Sequence, residues 1–287
     1  MTSGWKRLLL LAGACWVVFA VLLVAAYWIP AAEWADGWAV QGFLNLQTPW
    51  LTDLASPVAH LADPGPFAVW TALLAGTAMY RKRPRQALAV IVLLGGANLL
   101  TQILKVALQH ERWHDFLGKA QLSAESFPSG HATASMALAF AALLVAPAAW
   151  RPVVAVVGAI FALAVSESIM LLAWHFPSDV GGGFLVATAC ALTTAAALQI
   201  ADERWPERTG RDAARRVITR VNVGRTAAVV AGFMLAAVAG IAVAAGAETF
   251  RFADHHTTAV AAVIAVAAMA AALPVSVAAL GARRSER

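Results

Sequence analysis

Ser126-Phe127-Pro128-Ser129-Gly130-His131-Ala132-Thr133-Ala134 opens an apolar run that continues to Val145. A polar loop precedes it, so the run reads as a helix entering a membrane with its N-terminus at the surface. Proline suits the first turn of a helix, where its missing N–H costs nothing, and Pro128 is expected there. The N–H groups of Ser129, Gly130 and His131 are then unpaired and point out of the helix end. That end carries partial positive charge, and Gly130 lets an anion come close to the backbone. Ser129 adds a hydroxyl, and His131 a group that titrates near neutral pH. A capped helix start with a surface histidine has the same appearance, so the rest of the chain must decide.

The composition settles the solvent. Of 287 residues, 61% are hydrophobic and 13% charged, and the mean hydropathy is +0.71. Soluble domains carry about 25% charged residues, so this is a membrane chain. An apolar stretch of about 20 residues spans a bilayer. Eight spans are expected, near residues 8–29, 65–80, 86–108, 131–149, 152–174, 178–200, 226–246 and 257–280. The second is short and follows Asp63-Pro64-Gly65-Pro66, while the first is too long for a signal-peptide core and reads as an anchor. With a cytoplasmic N-terminus, only Lys105, Arg112, Lys119 and Arg251 of the 21 basic residues fall outside. That is the positive-inside pattern of a multi-pass cell-membrane protein with both termini cytoplasmic. It accounts for the net charge of +5 without a nucleic-acid partner. Cys15 and Cys190 both lie in spans and make neither a disulfide framework nor a zinc site.

Between the first two spans, residues 30–64 hold Glu33, Asp36, Asp53 and Asp63, several tryptophans and no Lys or Arg. Such a segment suits a helix or loop at the membrane interface, where it can cover a site on the outer face. His110-Glu111-Arg112-Trp113-His114 fits the H-E-x-x-H zinc pattern. A zinc site of that kind needs a third ligand and a helix, whereas Arg112 sets a fixed cation beside the metal position and the segment reads as a loop. No metal is expected. Glu167 lies between Ser166 and Ser168 in the fifth span, where an ionisable group is either functional or hydrogen-bonded inside the bundle. His175-Phe176-Pro177-Ser178-Asp179 joins the fifth and sixth spans, placing a histidine and a carboxylate at the outer surface. Residues 201–225 form a basic cytoplasmic linker, and 226–287 an accessory two-span hairpin rich in small residues with a short tail.

Lys105, Arg112, the Ser129–His131 helix start, and His175 with Asp179 thus collect at the outer ends of spans three to six. Two cations and a helix end fit a phosphate group. Two histidines fit its transfer through a covalent intermediate. No acidic cluster suited to Mg²⁺ accompanies them, so no cofactor is expected.

Lys105-x6-Arg112, Pro128-Ser129-Gly130-His131 and His175-x3-Asp179, in that order, resemble the three signature motifs of the type 2 phosphatidic acid phosphatase superfamily. The resemblance covers roughly residues 1–200 and implies an all-α helix bundle with a six-span core, the last two spans lying outside it. It implies that His175 attacks phosphorus, that Asp179 orients His175, and that His131 protonates the leaving group and later activates water. Lys105, Arg112, Ser129 and Gly130 would bind the phosphoryl oxygens of a membrane lipid phosphate. Two positions depart from the family pattern. Trp113 follows Arg112 where proline is usual, and Ser168-Ile169 stands where Ser-Arg is usual. Lys119 and Glu167 are the nearby residues that can modify the site in place of that arginine. A phosphatase acting on a phosphatidate-like lipid or an isoprenoid diphosphate is expected. A lipid phosphotransferase and a catalytically weakened lipid-phosphate binder are the alternatives; the oligomeric state is left open.

Overall fold

The computed structural model describes residues 4–205 and 256–282, with side chains of the last helix described as far as Pro274. Among these residues the chain is helical, with no strand. The helices are α1 (Gly4–Trp28), α2 (Pro30–Leu46), α3 (Pro49–His60), α4 (Pro64–Tyr80), α5 (Pro84–Ala107), α6 (Gly130–Val145), α7 (Arg151–Leu171), α8 (Pro177–Arg204) and α9 (Thr257–Ala282). Proline starts α2, α3, α4, α5 and α8. At that position its fixed φ is already helical and its absent N–H is no loss.

Five of these helices, α1, α5, α7, α8 and α9, are long and apolar enough to cross a membrane. At 16 residues, α6 would reach only about 24 Å, short of a hydrocarbon core of about 30 Å. It need not match the lipid, because it is buried almost throughout among α5, α7 and α8. The expected span at 65–80 is α4, with 17 residues. The expected span at 226–246 and most of the linker at 201–225 lie outside the described residues. Residues 30–64, read from sequence as an interfacial segment, form α2 and α3.

Polar contacts fix which helix ends lie together. At one end, Tyr27 Oη donates to the Leu108 carbonyl at 2.8 Å, Gln47 Nε2 donates to the Leu171 carbonyl at 2.6 Å, and Asn45 meets His256 at 2.9 Å. At the other end, Arg81 donates to the Val145 carbonyl at 2.5 Å and Arg85 pairs with Asp202 at 3.5 Å. Arg81 thereby places a cation on the C-terminus of α6, where the helix dipole favours it. The chain therefore alternates direction through α4, α5, α6, α7 and α8, as the spacing of apolar runs predicts. Exposed Trp28, Trp34, Trp38, Trp50 and Trp113 ring the first end, and Tyr80, Trp150 and Trp205 the second. This is the double aromatic belt of a membrane protein.

The main core surrounds α6, with Met136, Phe140, Leu93, Leu94, Val165, Ile169 and Phe184 packed together. Val266 and Ala270 of α9 belong to that same core. The last helix, expected from sequence to be accessory, therefore packs against the bundle through α2, α7 and α8.

Candidate active site

Ser129 is the N-cap of α6, and its Oγ accepts from the Ala132 N–H at 3.3 Å. The expectation that Pro128 occupies the first turn is off by two residues, and the Ser129 N–H is not free: it donates to the Asp179 carbonyl at 2.9 Å. The open N–H groups at this helix end are those of Gly130 and His131. A Cβ at Gly130 would meet nothing closer than Gln102 Nε2 at 3.7 Å and Lys105 Cε at 3.9 Å. Glycine therefore leaves room here that no protein atom fills, and Lys105 and Gln102 border that room.

The glycines of α8 bring the other half of the site alongside. A Cβ at Gly183 would lie 2.6 Å from the Ser129 carbonyl oxygen, and one at Gly182 would lie 2.9 Å from the Phe127 ring. Only the bare backbone of α8 can approach the start of α6 so closely. Thr133 Oγ1 then donates to Ser129 O at 2.8 Å and to Gly183 O at 3.3 Å, tying the two helices.

His175 is placed by the end of α7. Ala173 N–H donates to Met170 O and Trp174 N–H to Ile169 O, both at 2.9 Å, and Ala173 has φ of 56°. This is a Schellman stop with alanine where glycine is usual. The chain then enters α8 at Pro177, two residues past His175. Asp179 Oδ2 accepts from the Phe176 N–H at 2.9 Å and faces His175 Nδ1 at 3.4 Å. The imidazole proton is thereby assigned to Nδ1, which leaves Nε2 as a lone pair.

Behind Asp179 lies Arg112, its side chain 1% exposed. Its NH2 donates to Asp179 Oδ1 and, at 2.8 Å, to Ser126 Oγ; its NH1 reaches Asp36 Oδ2 at 3.2 Å and Ser178 Oγ at 3.0 Å. The guanidinium is stacked on Phe176 at 3.9 Å and lies 5.4 Å from the Tyr27 ring. Burial opposes its charge, but Asp179 and Asp36 outweigh this and hold Arg112 more firmly protonated than usual. Sequence reading aims Arg112 at phosphate oxygens. Here four of its five donors meet protein groups, and Nε, buried without a partner, is the remaining one. Asp36 also accepts from Ser178, through the backbone N–H at 3.2 Å and through a shorter bond from the hydroxyl. Burial raises the Asp36 carboxyl to about 6 against the opposing pull of Arg112.

His131 has a carboxylate of its own. Its Nε2 lies 2.9 Å from Asp63 Oδ1, Asp63 being the N-cap residue of α4. The rings of His131 and His175 are 6.3 Å apart, and the half-exposed Trp174 lies 5.6 Å from His131.

Lys105, Ser129, Gly130, His131, His175 and Asp179 are thus brought together, with Arg112 behind them. Lys119 is exposed in the loop after Gly118, and no contact with a described residue ties it to the site. Ile169 is fully buried in the core, and Glu167 Oε1 and Ser166 Oγ on the same helix are buried without partners. The H-E-x-x-H residues 110–114 form no helix. His110 stacks on Tyr27 at 4.5 Å, whereas His114 packs against Trp34, Phe116 and Gly37. Burial, first, holds His114 towards its neutral form. Sequence reasoning missed Asp36, Asp63 and Gln102 as neighbours of the site. Asp63 had one signal: it precedes a proline, which favours extended backbone and frees the side chain to reach outward.

The PAP2 superfamily family model matches residues 86–203, the stretch that carries all three motifs. The chain is 25% identical over 173 residues to phosphatidylglycerophosphatase B of Bacillus subtilis (strain 168), covering 58% of this chain and 85% of that protein. Its fold is similar to the crystal structure of a transmembrane PAP2-type phosphatidylglycerolphosphate phosphatase from Bacillus subtilis. The TM-score is 0.56 at 23% identity, over 69% of this chain and 98% of that one. The chain is thus a multi-pass membrane protein whose residues 86–203 match the PAP2 superfamily and whose fold is similar to that of a transmembrane phosphatase of that type.

Proposed function

We propose that this protein hydrolyses a lipid phosphate monoester at the outer membrane face, through a phosphohistidine on His175 and without a metal ion. The observation that carries the reading is His175, with Nδ1 turned to Asp179 and its ring 6.3 Å from that of His131, beside the open N-terminus of α6. His175 Nε2 attacks phosphorus, and Asp179 stabilises the cation that forms on the ring. Lys105, the Ser129 hydroxyl and the N–H groups of Gly130 and His131 receive the phosphoryl oxygens. Arg112 serves mainly to keep Asp179 ionised and in place, and has only Nε left for a phosphoryl oxygen. His131 gives a proton to the leaving oxygen, then takes one from the water that attacks the phosphohistidine.

A lipid substrate suits a site bordered by Trp174 within the aromatic belt. A phosphatidylglycerol phosphate-like lipid is the substrate class favoured, because the curated relative is a phosphatidylglycerophosphatase. Ile169 removes the arginine usual at that position. Lys105 is the cation that borders the phosphate space, so turnover should be slow for the family. The outer location and cytoplasmic termini are supported by the distribution of basic residues, and residues 1–200 as the catalytic core by the reach of the family resemblance.

Right-side-out vesicles carrying the protein should release phosphate from an impermeant, short-chain phosphatidylglycerol phosphate added outside in EDTA. Release only after the vesicles are opened would reverse the orientation. Activity lost to EDTA and restored by Zn²⁺ would contradict the mechanism. Tight binding with no release would leave a lipid-phosphate binder, and transfer of the phosphate to an added alcohol would make the enzyme a phosphotransferase.

A further inference from the structure

His175 has Asp179 as its carboxylate, four residues along the chain. The structure supplies a second carboxylate from a different part of the chain. Asp63 ends the short connection between α3 and α4, with φ −64° and ψ 159°. Its N-cap side chain makes no capping bond to its own helix. Instead Oδ1 lies 2.9 Å from His131 Nε2, and Oδ2 lies 3.9 Å from His60 Nε2. His60 in turn has Nδ1 at 2.6 Å from the Ser56 carbonyl, so that nitrogen carries a proton and Nε2 faces Asp63. Trp174 packs between the two imidazoles, with ring centroids 5.5 Å from His60 and 5.6 Å from His131. The titratable and charged groups facing His131 are therefore Asp63, with His60 behind it, His175 across the site, and Lys105 on α5.

Resting on the phosphatase reading, we propose that Asp63 is a positioning residue that holds His131 correctly turned and supports its protonated form as the proton carrier of the reaction. The carboxylate makes no capping bond to its own helix and is aimed instead at one nitrogen of the second site histidine. The Asp63 anion favours the imidazolium, opposing burial of the ring and the neighbouring His175 and Lys105. With Nε2–H held by Asp63, Nδ1 is the nitrogen that exchanges the proton; no described residue takes it. As the P–O bond breaks, the Nδ1 proton passes to the leaving oxygen, and His131 becomes neutral while keeping Nε2–H on Asp63. Water then gives a proton to Nδ1 as its oxygen bonds to phosphorus and the P–Nε2 bond to His175 breaks. His131 ends as it began, and Asp63 never exchanges a proton.

The test compares wild type with Asp63→Asn and Asp63→Glu on two substrates over pH. One is a lipid phosphate, whose alkoxide leaving group needs a proton; the other is p-nitrophenyl phosphate, whose leaving group does not. Asp63→Asn should lower kcat for the lipid phosphate by about 10- to 100-fold, a part of the roughly 100- to 10,000-fold that general acid catalysis contributes. KM should stay within about twofold, because Asp63 does not meet the substrate in the ground state. The upper-pH limb should move to lower pH by about one unit, since one anion next to the imidazole is removed. p-Nitrophenyl phosphate should lose less than about threefold, and Asp63→Glu should return the limb towards wild type. An equal fall for both substrates with the limb unmoved would reduce Asp63 to packing between α3 and α4. A variant indistinguishable from wild type would remove it from the mechanism. Activity that survives His175→Ala would overturn the phosphatase reading instead, whatever Asp63→Asn does. If the wild type is inactive on both substrates, ¹⁵N NMR titration of the His131 ring still decides: its pKa should fall in Asp63→Asn, and an unchanged pKa refutes the proposal.

Discussion

Arg112 lies between two carboxylates of different character. Asp179 is fully buried, accepts from the chain at the start of α8 and faces His175; Asp36 comes from α2 and is bound by Ser178. Asp36 is the member of this cluster that titrates in an accessible range, its carboxyl raised by burial to about 6. A carboxyl raised on folding holds its proton more tightly in the folded state. Its contribution to stability is full below about pH 4 and is lost as pH rises through about 6. Asp36→Asn removes that titration. The thermal stability of wild type relative to the variant should therefore fall between about pH 4 and 6, by at most about 3 kcal/mol for a two-unit shift. Parallel curves would show that the ion pair with Arg112 cancels the burial cost. His175 and Asp179 were legible as a pair because they stand four residues apart across the start of α8. Asp36 and Asp63 were not, because they act on residues 76 and 68 positions away and belong to no local pattern.

The approach of α8 to α6 rests on single atoms. At Gly183 a methyl group would meet backbone, the Ser129 carbonyl at 2.6 Å and the Thr133 nitrogen at 3.0 Å. Neither can swing aside as a side chain can. Gly183→Ala should cost about 1–3 kcal/mol, the range for an overpacked core, and lower activity by displacing the Ser129 cap. Gly130→Ala has ordinary contacts at 3.7 Å and beyond, so its melting temperature should stay near wild type while inhibition by inorganic phosphate weakens. Thermal melts of both variants in detergent check the contrast. Equal losses would mean that the two glycines are equivalent. Helix existence was legible at this scale, since apolar runs and starting prolines mark it. The start of α6 was misjudged by two residues because the Ser129 cap, formed with Asp179 bound to its N–H, outranks the preference of proline for the first turn.

In the whole molecule, the alternating helices bring the ends of α3, α5, α6 and α7 to one face, where the two histidines meet carboxylates from opposite parts of the chain. The membrane class, the order of the motifs and the grouping of their residues at one end were all legible in apolar run lengths and charge placement. The docking of α9 was not, because a helix of Ala and Val carries no mark of which neighbours it will meet. Its Val266 and Ala270 join the core around α6 instead of standing apart. The central claim is that His175 carries the phosphoryl group between lipid and water. Rapid acid-free quenching of protein turning over a ³²P-labelled lipid phosphate tests it most directly. An acid-labile, base-stable label should be trapped on the peptide containing His175 and be absent from His175→Ala, which should also lose turnover. Undiminished hydrolysis by His175→Ala, or a label on any other residue, would contradict the account.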